Sequence, residues 1–286
     1  MAELLKGAPA AKALTEELLL RSQALSEKGI TPALAIVRVG ERPDDISYET
    51  GALKRCEKTG VAVRRFLLPE DAGIDEISKV ICEINEDESI HGCLMFRPLK
   101  DKAAEAEACR LLDPAKDIDG MTDGSLAAVF KGSGAGYAPC TASAVMELIR
   151  HCGIELKGKK VVVVGRSLVI GKPVSMLLQK ENATVTMCHS KTADLKAECR
   201  NADILVAAIG RAEMLDKDYI PEQGTVIDVG INVNADGKLC GDVRFEDAER
   251  AAAAVTPVPG GVGAVTTAVL CKHVIEAAEI KAAAKA

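Results

Sequence analysis

The 286-residue chain has no tryptophan, three tyrosines and four phenylalanines, so aromatic residues make up only 2% of it. That scarcity argues against the aromatic platforms on which single-stranded nucleic acid stacks. Positive charge is not in excess either. The 36 Lys and Arg are outnumbered by 42 Asp and Glu, for a net charge of −6, so binding to nucleic acid by counterion displacement is not expected. No apolar run approaches the ~20 residues that cross a bilayer. The first residues lack a basic region followed by a long apolar stretch, so no secretory leader is expected. There are four histidines, none at zinc-like spacing with a cysteine, and no C-x-x-C among the ten cysteines. No metal site is therefore expected. Most of the thiols lie within apolar patterns, where they act as small buried hydrophobes, and this usage implies a reducing cytoplasm.

The chain is 48% hydrophobic. That suffices for sizeable cores, and the length suits one large or two medium domains. Apolar residues at helical spacing predict a helix over residues 10–28. A strand follows over 33–39, a helix over 45–58, a strand over 61–68, a helix over 74–85 and a strand over 92–96. The glycine-rich stretch 130–139 reads as a connection, and 141–152 as a helix. Later strands are expected at 184–188, 203–207 and 225–229, with a long closing helix over 266–284. Strands alternating with helices imply an α/β fold built on parallel sheets.

The most informative segment is Val161-Val162-Val163-Val164-Gly165-Arg166-Ser167, continued by Leu168-Val169-Ile170-Gly171-Lys172-Pro173. Four β-branched residues in a row predict a strand buried on both faces. A glycine turn follows, and then a helix over 174–179 with proline in its first turn. Strand, glycine turn and helix start is the arrangement that aims backbone N–H groups at a phosphate. Only two glycines of the usual three are present, so an ordinary strand-to-helix turn explains this segment alone equally well. The end of the next strand adds information. An NAD enzyme usually places an acid there, about 20 residues after the turn. Here the residues are His189, Ser190, Lys191 and Thr192, with Arg166 in the turn itself. Cations and hydroxyls suit a 2′-phosphate, which favours NADP, with NAD as the alternative.

Several long motifs occur in order. They are Lys116-Asp117-Ile118-Asp119-Gly120, Pro139-Cys140-Thr141, the turn from Gly165 to Pro173, residues 183–192, and Thr256-Pro257-Val258-Pro259-Gly260-Gly261-Val262-Gly263. Together they resemble the methylenetetrahydrofolate dehydrogenase/cyclohydrolase family over nearly the whole chain. The resemblance implies two domains around a cleft. A folate-binding catalytic domain would span 1–140 plus the closing helix 266–286, and a Rossmann-type NAD(P)-binding domain 141–265. It also implies a cytoplasmic homodimer that moves a hydride from the one-carbon bridge of tetrahydrofolate to the nicotinamide. In the folate site it implies Tyr48 beside the folate ring, Asp119 accepting hydrogen bonds from the pterin, and Pro259, Gly260 and Gly261 near both ligands. For the cofactor it implies Gly165, Arg166, Ser167, Ile170, Gly171, Ser190, Lys191 and Ile231. On the residues alone, Asp119 also reads as a turn-forming Asp-Gly and Tyr48 as a half-buried packing residue.

The departures from the family bear on mechanism. Bifunctional members carry Tyr-x-x-x-Lys, and the lysine is tied to hydrolysis of the methenyl product. Here that position is Ala52. Lys54 is two residues further on, rotated by about 200° on a helix, and is expected to be solvated. The family's strand-loop glutamine, which bonds that lysine, is Phe96, so both members of a polar pair are replaced together. Ala142 and Ala264-Val265 replace proline and Pro-Met of the family pattern. Hydride transfer needs two oriented partners rather than a proton-transferring side chain, whereas hydrolysis needs an activated water. The expectation is a dehydrogenase with weak or absent cyclohydrolase activity. The alternatives are a bifunctional enzyme using Lys54, Arg97 or Lys100, and a non-catalytic nucleotide-binding module.

Overall fold

The computed structural model describes residues 1–285. In chain order its elements begin with β1 (Glu3–Leu4), α1 (Gly7–Ser26), β2 (Ala33–Val39), α2 (Pro43–Thr59), β3 (Ala62–Leu68), α3 (Ile74–Glu86) and β4 (Gly92–Met95). There follow α4 (Lys102–Leu111), α5 (Asp123–Lys131), α6 (Cys140–His151), β5 (Lys160–Val164), α7 (Gly171–Lys180), β6 (Thr184–Cys188) and α8 (Leu195–Arg200). The chain closes with β7 (Ile204–Ala207), β8 (Thr225–Asp228), β9 (Asn232–Val233), β10 (Leu239–Cys240), α9 (Phe245–Ala251), β11 (Ala254–Val255) and α10 (Thr266–Lys285).

The chain divides into two compact units. One joins Met1–Lys12 to Thr141–Thr266, and the other joins Ala13–Cys140 to the chain from Thr267 onward. The expected boundary put residues 1–12 wholly in the first domain. The structure moves them, because β1 pairs in parallel with β11 and extends the sheet of the other unit. The end of the closing helix, residue 286, lies outside the described residues.

The unit holding Thr141–Thr266 is built on a parallel sheet of order β1-β11-β8-β7-β5-β6. The valine run forms β5, whose Val161 to Val164 are all buried, as a strand covered on both faces should be. Its core gathers Val162, Val164, Leu205, Val226, Val255 and Ala248. From β5 the chain steps outward to β6, then crosses back to β7 on the other side. That reversal is a topological switch point, and the loops at the carboxyl ends of β5 and β7 are where such sheets take ligands.

The other unit carries a parallel sheet of order β3-β2-β4. Ile77, Ile81 and Ile84 of α3 pack with Ala35 and Val37 of β2 and with Ala104 and Ala108 of α4. On α2 the buried positions are Asp45, Glu49, Ala52, Cys56 and Thr59, a stripe at three- and four-residue spacing. Three of these, Asp45, Glu49 and Thr59, are charged or polar within a core face, and Glu49 centres the ion network described below. Sequence patterning did not reveal α4, α5, α8, α9 or the antiparallel β9–β10 pair. Phe130 and Lys131, read as connection, end α5.

Candidate active site

In the unit Ala13–Cys140 with Thr267 onward, two groups of residues stand out. The first is on α2. The Glu49 carboxylate is 3% exposed and takes Arg38 Nε at 2.7 Å and Arg65 Nε at 2.5 Å, so β2 and β3 both anchor this helix. An Arg38 terminal N–H also donates to the Gly40 carbonyl. A buried carboxylate matched by two guanidiniums is costly to break from either side. The network fixes the turn that carries Tyr48, which is half-buried. Tyr48 meets Phe96 edge-to-face, with ring centroids 6.0 Å apart at 82°. Ala52, one turn on from Tyr48, is fully buried, and Phe96 is 8% exposed. Lys54 is exposed, as its rotation away from Ala52 predicts. Lys100 is exposed too and lies 3.6 Å from Glu70.

The second group is the loop after Lys116. Lys116 Nζ donates to the carbonyls of Ile84, Asn85 and Asp87. The Asp117 carboxylate accepts Met121 N–H at 3.0 Å and Thr122 N–H at 2.7 Å. The intervening Asp119 is therefore presented by a loop tied at both ends. Its Oδ1 accepts the Cys140 N–H at 3.0 Å at the start of α6. Burial pushes the Asp119 carboxyl above its ordinary range, against the lowering effect of the Cys140 N–H and thiol and of the nearby Arg97 charge. Burial likewise raises the Cys140 thiol, which is thus no nucleophile at neutral pH. Sequence reasoning missed two residues here. Tyr137 and His273 stack at 4.9 Å, and His273 Nδ1 donates to the Ile118 carbonyl at 2.8 Å. No local motif signals a contact between residues 155 positions apart.

In the other unit, the turn after β5 bears out the close backbone approach that glycine permits. A Cβ on Gly171 would lie 2.2 Å from the Gly165 carbonyl oxygen, so any other residue would open the turn. Arg166, Ser167, Ser190 and Lys191 are exposed, and Ile170 is half-buried. The backbone N–H groups of Arg166, Ser167, Leu168 and Val169 make no hydrogen bond among the described residues. Free N–H groups, a helix start and exposed cations suit a phosphate-bearing dinucleotide. At the carboxyl end of β7, the fully buried Asp242 accepts N–H bonds from Ile209, Gly210 and Arg211 at 2.6, 3.1 and 2.7 Å. It also accepts Asn232 Nδ2–H at 2.9 Å. Asp228, ending β8, accepts N–H bonds from Gly230, Asp242 and Val243. Burial raises the Asp228 carboxyl to about 7, with the adjacent Asp242 adding to the rise and the three N–H groups opposing it. These interlocked carboxylates shape both loops, and patterning did not single them out. Ile231 is 68% exposed beside them. Pro259 and Gly260 are exposed and Gly261 is buried. Gly260 takes the Gly7 N–H on its carbonyl at 2.8 Å. Among the described residues no cluster of His, Cys, Asp or Glu could hold a metal, and no helix is long and apolar enough to cross a membrane.

A parallel sheet with a glycine turn at its switch point defines a dinucleotide-binding type of α/β protein. Residues 139–282 match the model of the tetrahydrofolate dehydrogenase/cyclohydrolase NAD(P)-binding domain, and residues 5–119 match the catalytic domain of the same family. The chain belongs to the tetrahydrofolate dehydrogenase/cyclohydrolase family. It is 52% identical to the bifunctional protein FolD of Carboxydothermus hydrogenoformans, over 98% of each chain. Among solved structures it superposes on the bifunctional FolD of Campylobacter jejuni with a TM-score of 0.93 at 35% identity, covering 98% of this chain and 99% of that one. On the Trypanosoma brucei methylenetetrahydrofolate dehydrogenase-cyclohydrolase, complexed with NADP cofactor and inhibitor, the TM-score is 0.91 at 34% identity, covering 98% of each.

Proposed function

We propose that this chain is a methylenetetrahydrofolate dehydrogenase that prefers NADP and hydrolyses its methenyl product slowly or not at all. The observation that carries the second half is the pair Ala52 and Phe96. Where bifunctional members offer an amine and its glutamine partner, this chain offers a fully buried methyl group and a phenyl ring seated on Tyr48. Neither can polarise a water.

Asp119 Oδ2 would accept N–H groups of the pterin, and Tyr48 would cover its aromatic edge. Arg166, Ser167, Ser190 and Lys191 would hold the adenosine phosphate, and the free N–H groups from Arg166 to Val169 the pyrophosphate. Gly171 would keep the turn closed. Pro259, Gly260, Gly261 and Ile231 would border the nicotinamide. The cofactor supplies a hydride acceptor; the protein supplies binding, orientation and exclusion of water.

A bifunctional reading has two supports. The curated relatives are bifunctional by name, and the Arg97 charge acts on the Asp119 carboxylate, which places a cation near the group proposed to hold the pterin. The deciding assay supplies methylenetetrahydrofolate with NADP or NAD and follows reduced cofactor and methenyl product separately. A non-catalytic module would reduce neither cofactor. A monofunctional dehydrogenase would accumulate the methenyl product, and a bifunctional one would clear it.

A further inference from the structure

We infer that His273, on α10, is a positioning residue for Asp119. This rests on the reading above in which Asp119 binds the folate. The carbonyl of Ile118 belongs to the peptide that leads directly into Asp119. Because a peptide unit is planar, fixing that oxygen fixes the plane from which the Asp119 side chain departs. Two donors hold it: His273 Nδ1 at 2.8 Å and the Cys140 thiol at 3.3 Å. A carbonyl can only accept, so Nδ1 is the protonated ring nitrogen in this bond.

The ring itself has little freedom. It stacks on Tyr137 at 4.9 Å with a 32° tilt, and its Nδ1 lies 3.8 Å from the Cys140 sulfur. Cys140 in turn gives its backbone N–H to Asp119 Oδ1. His273 is 6% exposed, Cys140 2% and Ile118 0%, so water does not compete for these bonds. One carboxylate oxygen is thus committed to the scaffold. The closing helix sets the direction in which the second oxygen, Oδ2, points. No other contact described for Asp119 depends on a residue so distant in the chain.

The test uses the full chain and four variants: H273L, H273N, H273Q and D119A, with D119A/H273L as the coupled pair. Steady-state KM for methylenetetrahydrofolate, KM for NADP and kcat are measured for each. The loss of one buried hydrogen bond predicts that H273L raises the folate KM about tenfold, with the NADP KM unchanged. Asparagine places an N–H near the Nδ1 position, so H273N should return the folate KM to within about threefold of the parent. Glutamine reaches instead toward the Nε2 position and should fail to rescue, a comparison that stands even if H273L does not fold. On the D119A background, H273L should add less than about twofold, because the group it orients is gone. Full additivity of H273L with D119A, equal effects of H273N and H273Q, or an unchanged folate KM in H273L would each overturn the inference. If D119A itself leaves the folate KM unaltered, the folate reading of Asp119 fails and takes His273 with it. If D119A abolishes folate binding while H273L does nothing, only the His273 inference falls.

Discussion

Single residues carry the two sharpest electrostatic consequences. Asp228 has a folded-state carboxyl raised to about 7 from an ordinary value of 3.8. A raised value means that the folded protein holds this proton more tightly than the unfolded chain does. The resulting stability is fully present below pH 3.8 and is lost as pH rises through about 7. Between pH 6 and pH 8 the loss should be about 1 kcal/mol. Urea unfolding at both pH values should show it in the parent and not in D228N, although D228N will be less stable throughout. Equal slopes for the two proteins would contradict the assignment. Asp119 is the second case. Removing a carboxylate that accepts ligand N–H groups costs about 1.5–3 kcal/mol, so D119A should lose roughly 10- to 100-fold in kcat/KM for the folate. The NADP KM should stay put, and a matching rise in it would point to general disorder of the fold instead. The Asp-Gly pair at 119–120 was legible from sequence as a turn or a ligand-binding group. The structure shows the turn, with Gly120 at φ 65°, and D119A tests the second use.

At the scale of elements, most strands and the longer helices were legible because burial imposes strong periodicity. The run Val161–Val164 and the isoleucines of α3 are the clearest cases. The misses have physical causes. β1 and β11 have two residues each, too few for any period. α4 is rich in alanine and charge, and its start rests on Asp101, whose carboxylate accepts the N–H groups of Ala103 and Ala104. α5 likewise starts at Thr122, which caps Ser125 N–H. Both caps were readable in principle but compete with turn readings. The β9–β10 pair depends on β8 and on contacts that only the folded chain creates. Gly241, beside it, faces the Asp228 carboxylate so closely that a Cβ there would fall 1.8 Å from Oδ2. G241A should destabilise the protein by about 3 kcal/mol or abolish soluble folding, read by chemical denaturation. A change below about 0.5 kcal/mol would mean that this loop is free to shift. On α2, A52K with F96Q restores the amine and its partner. That pair should raise methenyl hydrolysis at least tenfold over the parent, whereas A52K alone, with no polar partner, should do less. No gain in the double variant would remove these positions from the hydrolytic step.

For the whole molecule, the order of motifs along the chain made the family and the α/β class legible before any contact was known. The division into units was less so. Residues 1–12 were misplaced because a two-residue strand gives no sign of which sheet it joins. Cofactor preference belongs to this scale too, since it sums several exposed groups. R166A and K191A should each raise the NADP KM roughly tenfold and leave the NAD KM nearly unchanged. Equal losses with both cofactors would place those side chains away from the 2′-phosphate. The hydrolytic step, however, depends on the chemistry that Ala52 and Phe96 leave out. The most direct measurement adds purified methenyltetrahydrofolate to the enzyme and follows its disappearance against a protein-free control. A preparation that reduces NADP briskly with the methylene substrate should leave the methenyl compound to decay at the solvent rate. Decay that accelerates in proportion to enzyme concentration would contradict it.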